Sequence, residues 1–237
     1  MDTISYTTRR GEIAHYFDRT AVAAWEKLTS DAPVGRIRAS VRAGRDQMRA
    51  TLLSWLPADM RGQRLLDAGC GTGALAIEAA RRGADVLAID LSPTLVKLAR
   101  ERAPTDLGAG AIDFRSGDML STALGRFDHV VAMDSVIHYS TTDAVAALSK
   151  LAERTTQSIN FTFAPSTPLL ALMIRAGRLF PRGDRAPWLN PMAADQLAAM
   201  RALDAVLQHW QPGQTQRVAS GFYKSQAMQW LAPGVAK

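Results

Sequence analysis

Residues 65–80 read LLDAGCGTGALAIEAA, and this stretch decides the fold. Leu65 and Leu66 close a short apolar run with the character of a buried strand, and Ala74 to Ala80 open a helical pattern. Between them Gly69, Gly71 and Gly73 occupy every second position. Without Cβ atoms, such a turn lets a ligand approach the backbone N–H groups directly. One glycine would serve the turn alone; three point to something flat lying on the backbone. Cys70, inside the turn, reads as a small filler among ligand-contacting positions and not as a catalytic thiol.

Two ligands suit this geometry, a dinucleotide and S-adenosylmethionine (SAM). Gly69, Gly71 and Ala74 loosely satisfy the dinucleotide pattern. Asp67 argues the other way, because a carboxylate two residues before the first glycine repels a pyrophosphate but can hold the ammonium of a methionine. Gly73 is also a glycine that the dinucleotide pattern does not require. Downstream, VLAID (86–90) forms a second strand ending in Asp90 and Leu91, where a carboxylate can accept both ribose hydroxyls. A third strand ends in Gly117, Asp118 and Met119, with Asp118 placed to accept an adenine amino group, and a fourth ends in Met133 and Asp134. Together these strand-end residues resemble the class I SAM-dependent methyltransferases. That resemblance implies SAM as cofactor, S-adenosylhomocysteine (SAH) as product, and a Rossmann-like α/β fold. The sheet would be mostly parallel and seven-stranded, with helices on both faces.

The rest of the chain fits that architecture. Residues 62–164 alternate strand and helix, with Ser92 and Pro93 opening one helix as cap and first position. Repeated βα units with continuous apolar strands give a parallel sheet covered on both faces, which binds ligands at the carboxyl ends of its strands. Residues 1–61 read as a helical lid. Within them Val34, Ile37, Val41, Met48, Leu52 and Leu56 recur at three- and four-residue steps up to Pro57, with Arg36, Arg38, Arg42, Arg45 and Arg49 on the other faces. Residues 62–237 form the SAM-binding domain, interrupted at about 164–191 by a proline-rich insertion that reads as a second lid. Residues 202–231 alternate as a closing antiparallel pair.

At 237 residues the chain is one domain with room for a full core. Its 47% hydrophobic and 21% charged content is that of a soluble globular protein. A single cysteine excludes an internal disulfide and fits a reducing compartment. The first residues lack the apolar stretch of a signal peptide, and the longest apolar run, LLALMI (169–174), is too short to span a bilayer, so a cytoplasmic location is expected. The net charge of +6 suits an acidic small molecule, an anionic membrane surface or a nucleic acid, and equally reads as an arginine-rich genomic composition. No basic run is interleaved with aromatics, which argues against nucleic acid. The four histidines are scattered and no cluster has metal-ligand spacing, so no protein-bound metal is expected.

Four further stretches narrow the family: YFDRTAVAAWEKL (16–28), AMDSVIHY (132–139), LFPRGDRAP (179–187) and RVASGFYKSQAMQWL (217–231). They resemble the magnesium protoporphyrin IX O-methyltransferases of bacteriochlorophyll synthesis, over nearly the whole chain. The resemblance implies methyl transfer from SAM to one propionate of magnesium protoporphyrin IX. A propionate, with a pKa of about 4–5 like a glutamate, is already ionised at neutral pH, so alignment and exclusion of water do the work that a base would otherwise do. His138, just past the fourth strand, would hold the reacting propionate, with its neighbour Tyr139 and with Tyr16 closing from the amino-terminal helices. Arg182 and Arg185 would bind the second propionate, since guanidinium pairs carboxylate bidentately. The implied partners are the porphyrin, magnesium chelatase as the source of that substrate, and a membrane surface on which LLALMIRAGRLF could rest. Two other readings remain at this point: a class I methyltransferase acting on another small acid or a quinone-like molecule, and a SAM-binding protein without catalysis.

Overall fold

The LLDA run forms strand β1 (Arg64–Ala68), and four more apolar runs form β2 (Asp85–Asp90), β3 (Ala111–Ser116), β4 (Phe127–Ala132) and β5 (Thr155–Phe163). The carboxyl-terminal pair is β6 (Gln211–Ser220) and β7 (Tyr223–Leu231). A computed structural model describes residues 8–13, 35–166 and 190–235. It arranges the strands in one sheet, in the order β3-β2-β1-β4-β5-β7-β6. The first five pair in parallel, and β7 runs antiparallel to both of its neighbours. Chain order reverses on either side of β1, so the connections leaving β1 and β4 part to opposite faces and open a crevice at their carboxyl ends.

Among the described residues the sheet is covered by α1 (Arg36–Ser54), α2 (Ala74–Arg81), α3 (Pro93–Arg102), α4 (Thr141–Ala152) and α5 (Ala194–Leu203). Successive strand residues point to opposite faces, and the core divides accordingly. Leu65, Val86 and Val131 pack with Met48, Leu52 and Ala79 on one side. Leu66, Leu87 and Val130 pack with Leu148, Phe161 and Trp230 on the other. Phe161 and Trp230 meet edge to face, ring centroids 4.7 Å apart. The Ser92 hydroxyl accepts the Leu95 N–H and Pro93 takes the first turn of α3, as the sequence signals.

Helix α1 is a layer of this core, with Met48 and Leu52 fully buried. It stops at Ser54, ahead of Pro57, and Ile37, assigned to its apolar stripe, is 58% exposed because the stripe runs past the sheet at that end. Of the segment read as an amino-terminal lid, α1 therefore packs as a fixed element, whereas residues 8–13, also helical, lie over the crevice. The insertion has a closed neck: Met192 N–H donates to the Ala164 carbonyl (2.8 Å) and Ser166 N–H to the Met192 carbonyl (2.9 Å). This backbone pairing delays the following helix to Ala194, three residues beyond the Pro191 expected from sequence. Tyr16, Arg182, Arg185 and the LLALMI run lie outside the described residues. No described helix is long and apolar enough to cross a membrane.

Candidate active site

A cleft with about 700 Å³ of empty space, counting its open mouth, lies over the carboxyl ends of β1 to β4. Eleven of the residues singled out from sequence line it: Gly69 and Gly71, Asp90 and Leu91, Gly117, Asp118 and Met119, Met133 and Asp134, His138 and Tyr139. Asp67, Cys70 and Gly73 do not.

The three glycines prove to have three different causes. A Cβ on Gly73, at φ 80°, would lie 2.8 Å from the Phe114 ring, so this glycine serves packing. A Cβ on Gly69 would lie 2.5 Å from that of Ser135, which crosses close behind it. Only Gly71, at φ 53°, has open space where its Cβ would stand. The N–H groups also differ from expectation. Gly69 and Cys70 donate to the Ile89 carbonyl (2.8 and 3.0 Å), Gly71 to Asp90 Oδ2 (2.9 Å) and Gly73 to the Cys70 carbonyl (2.9 Å). These four donors are engaged within the protein, whereas a pyrophosphate-binding turn aims such donors at its ligand. The loop offers bare backbone surface ringed by carboxylates, which suits a cationic ligand.

Asp67 is 2% exposed and is not among the residues lining the cleft. Its Oδ2 meets no hydrogen-bond donor among the described residues. Burial, and then the charge of Asp90, push its pKa up to about 7. Burial, followed by the charges of Asp67 and Asp90, also pushes the Cys70 thiol well up.

The other carboxylates face the cleft. Asp90 accepts Gly71 N–H on Oδ2 and Ser92 N–H on Oδ1 (both 2.9 Å), while burial raises its pKa. Each carboxylate oxygen accepts more than one donor, so both can also receive ribose hydroxyls. Asp118 accepts Leu120 N–H on Oδ1 (2.9 Å) and the Arg10 guanidinium on Oδ2 (2.6 Å), and Ile13, one turn on from Arg10, is buried against the same end. Asp134 is the one non-glycine among the described residues with positive φ, at 55°. Its N–H donates to Thr162 Oγ1 (2.8 Å). Its carboxylate receives Arg45 (2.5 Å), the Tyr223 hydroxyl (3.0 Å) and the Thr162 hydroxyl (3.2 Å). Burial, then the Asp134 charge, push the Tyr223 hydroxyl far above the ordinary tyrosine range, so it stays a donor.

His138 ends a 3₁₀ turn, Val136–His138, and is 5% exposed on the cleft wall beside the buried Tyr139. Asn190 holds this turn, donating its side-chain N–H to the His138 carbonyl (2.8 Å) and its backbone N–H to that of Ile137 (2.9 Å). The end of the insertion is thereby fastened to the histidine. Arg45, Tyr223, Ser135 and Ile13 belong to the site but were not among the residues assigned from sequence. Arg45 reads there as one of five arginines on a solvated helix face. Tyr223 sits in the SGFY stretch, where its only signal is family resemblance. Among the described residues, no three His, Cys, Asp or Glu side chains are grouped to hold a metal.

Comparison with known proteins agrees with this geometry. A family model described as magnesium-protoporphyrin IX methyltransferase C-terminus matches residues 132–232, and one described as a methyltransferase domain matches residues 65–157. A magnesium-protoporphyrin O-methyltransferase of Rhodobacter capsulatus is 46% identical over 226 residues, covering 95% of this chain and 97% of that protein. One from Synechocystis is 33% identical over 171 residues, covering 71% of this chain and 74% of its own. The crystal structure of magnesium protoporphyrin IX methyltransferase from Synechocystis with bound SAH superposes with a TM-score of 0.81 at 27% identity, covering 94% of this chain and 99% of that one.

Proposed function

This chain belongs to the magnesium-protoporphyrin O-methyltransferases, and we propose that in its reaction His138 and Tyr139 orient the reacting propionate while Asp90, Asp118 and Asp134 hold the cofactor. The enzyme transfers the methyl group of SAM to a propionate of magnesium protoporphyrin IX, leaving the monomethyl ester and SAH. A carboxylate oxygen attacks the methyl carbon as the carbon–sulfur bond breaks, and the electron pair returns to sulfur. The negative carboxylate and positive sulfonium cancel, and no proton is released. A water-poor cleft favours such charge cancellation, so positioning and desolvation supply the catalysis.

One observation carries the residue assignment: Asp90, Asp118 and Asp134 ring a single cleft whose far wall is the buried His138. The adenine takes the Asp118 end beside Leu91 and Met119, and the ribose takes Asp90. The methionine part crosses the open surface of Gly71, so that the sulfonium faces His138. Two lids cover the ligands. Residues 8–13, anchored by Arg10 on Asp118, close the adenine end and lead toward Tyr16. Asn190, at the end of the 164–191 insertion, is fastened to the His138 turn, and the resemblance assigns Arg182 and Arg185 of that insertion to the second propionate. Association with an anionic membrane is supported by exposed Ile37 and Phe222 flanked by exposed Arg36, Arg38, Arg217 and Lys224. Contact with magnesium chelatase would hand over the substrate there.

Single-turnover methyl transfer tests the assignment. His138→Ala should lower kcat and leave SAM affinity unchanged, and His138→Gln should recover part of the rate by restoring a neutral donor. The rate should not climb with pH through the imidazole range near 6.5. Wild-type turnover in His138→Ala would remove His138 from the site. An imidazole-dependent pH profile without rescue by the amide would make it a base instead.

A further inference from the structure

A crossover between parallel strands takes a dozen or more residues and is most often helical. The chain passes from the end of β3 to the start of β4 in residues 117–126, with a single 3₁₀ turn at Thr122–Leu124. Gly117, Asp118 and Met119 of this crossover line the cleft, so its adenine end stands on a loop and not on a helix. Within the loop, Asp118 Oδ1 accepts the Leu120 N–H (2.9 Å) and the Asp118 carbonyl accepts the Ser121 N–H (3.0 Å). These bonds tie the turn to itself.

A tie to the rest of the molecule comes from Arg154, between α4 and β5. Its Nη2 donates to the Met119 carbonyl (2.9 Å) and its Nη1 to the Ser121 carbonyl. The backbone beneath it is fixed on both sides. Its N–H donates to the Leu151 carbonyl at the end of α4 (3.2 Å), and its carbonyl accepts the Phe127 N–H at the start of β4 (2.9 Å). A guanidinium is a rigid plane, so two bonds from it hold two carbonyls at a set separation. The side chain is half-buried, and its Nε is buried with no acceptor among the described residues. Burial lowers its pKa, while the charge of Asp118 acts the other way. Taking a charge partly out of water costs free energy, and a solvated turn would need no such group.

We propose that Arg154 is a positioning residue for the adenine of the cofactor. By holding the Met119 and Ser121 carbonyls it fixes where Asp118 stands against the adenine amino group. This rests on the reading of Asp118 as the adenine acceptor. Arg154 does not itself line the cleft, so its effect falls on cofactor recognition and not on methyl transfer.

Isothermal titration compares SAH with S-inosylhomocysteine, which presents a ring carbonyl where adenine presents its amino group. The wild type should bind SAH about tenfold more tightly, because the carbonyl meets Asp118 as acceptor against acceptor. Arg154→Met keeps much of the side chain's length and removes its donors. It should weaken SAH about fivefold and S-inosylhomocysteine less than about twofold, so the preference for adenine shrinks. In turnover the KM for SAM should rise about fivefold, while kcat and the KM for magnesium protoporphyrin stay near wild type. Arg154→Lys, whose ammonium can reach one of the two carbonyls, should show an intermediate preference, and it carries the comparison should Arg154→Met not fold. Weakening of both ligands by one factor would mean a general loosening of the cleft, and unchanged Kd in both variants an idle strap. A fall in kcat at an unchanged KM for SAM would place the effect on the porphyrin side. Each of these three results overturns the proposal. A wild type without preference for SAH would instead strike the reading of Asp118, and this appears in the first titration.

Discussion

Removing the charge of Asp67 should make the enzyme more stable, and increasingly so as pH rises. The side chain is 2% exposed, its Oδ2 meets no donor among the described residues, and Asp90 adds repulsion. Its pKa rises from 3.8 to about 7 on folding. Between those values the folded chain keeps a proton that the unfolded chain gives up, so stability without ligand falls as pH rises through this window and levels off above it. At 1.36 kcal/mol per pKa unit, the difference between 3.8 and 7 is worth about 4 kcal/mol at most. Asp67→Asn keeps the size of the side chain and never charges. Urea unfolding should show it about 4 kcal/mol more stable than wild type at pH 8, and less than half of that at pH 5. The cofactor acts in the opposite sense, because its sulfonium and ammonium favour the ionised carboxylate. SAM binding near pH 6.5 should therefore release a proton, read as a buffer-dependent enthalpy in calorimetry. An Asp67→Asn variant with the same stability difference at pH 5 and pH 8 would refute the reasoning.

Asp90→Ala should raise the SAM dissociation constant at least tenfold in calorimetry, through loss of the acceptor for the ribose hydroxyls. Since Asp90 also secures the Gly71 and Ser92 N–H groups, its melting temperature should fall too. Gly73→Ala and Gly71→Ala should separate folding from binding. The first forces a Cβ against Phe114 and should cost about 2–3 kcal/mol of stability in urea unfolding while leaving SAM affinity within twofold. The second meets open space, so it should cost only about 1–2 kcal/mol for its left-handed backbone but weaken SAM more than tenfold.

The sheet was legible because its signals are local: apolar runs of strand length, a capped helix start at Ser92, and glycines at a strand-to-helix turn. Local rules also put Asp90, Asp118 and Asp134 at strand ends, where the parallel topology collects them. Gly71 and Gly73 look alike in a linear pattern, and only the approach of Phe114 to one of them separates packing from binding. The burial of Asp67 is likewise not visible in the linear pattern, since it depends on how the loop packs after the strand ends. Arg45 and Tyr223 were beyond reach because 178 residues separate them (223 − 45) and their shared partner, Asp134, lies on a third element. Nothing in the helical period of α1 tells which of five arginines faces the crevice.

The neck at Ala164, Ser166 and Met192 makes the insertion a graft point. Its two ends are already joined by backbone bonds just beyond β5. A segment rooted in this way can change length and composition without disturbing the register of β5 or the start of α5. Exchanging residues 167–189 for the equivalent loop of a methyltransferase with a different acceptor is the natural route to redirecting the methyl group, with Asn190 kept in place so that the new loop still terminates on His138.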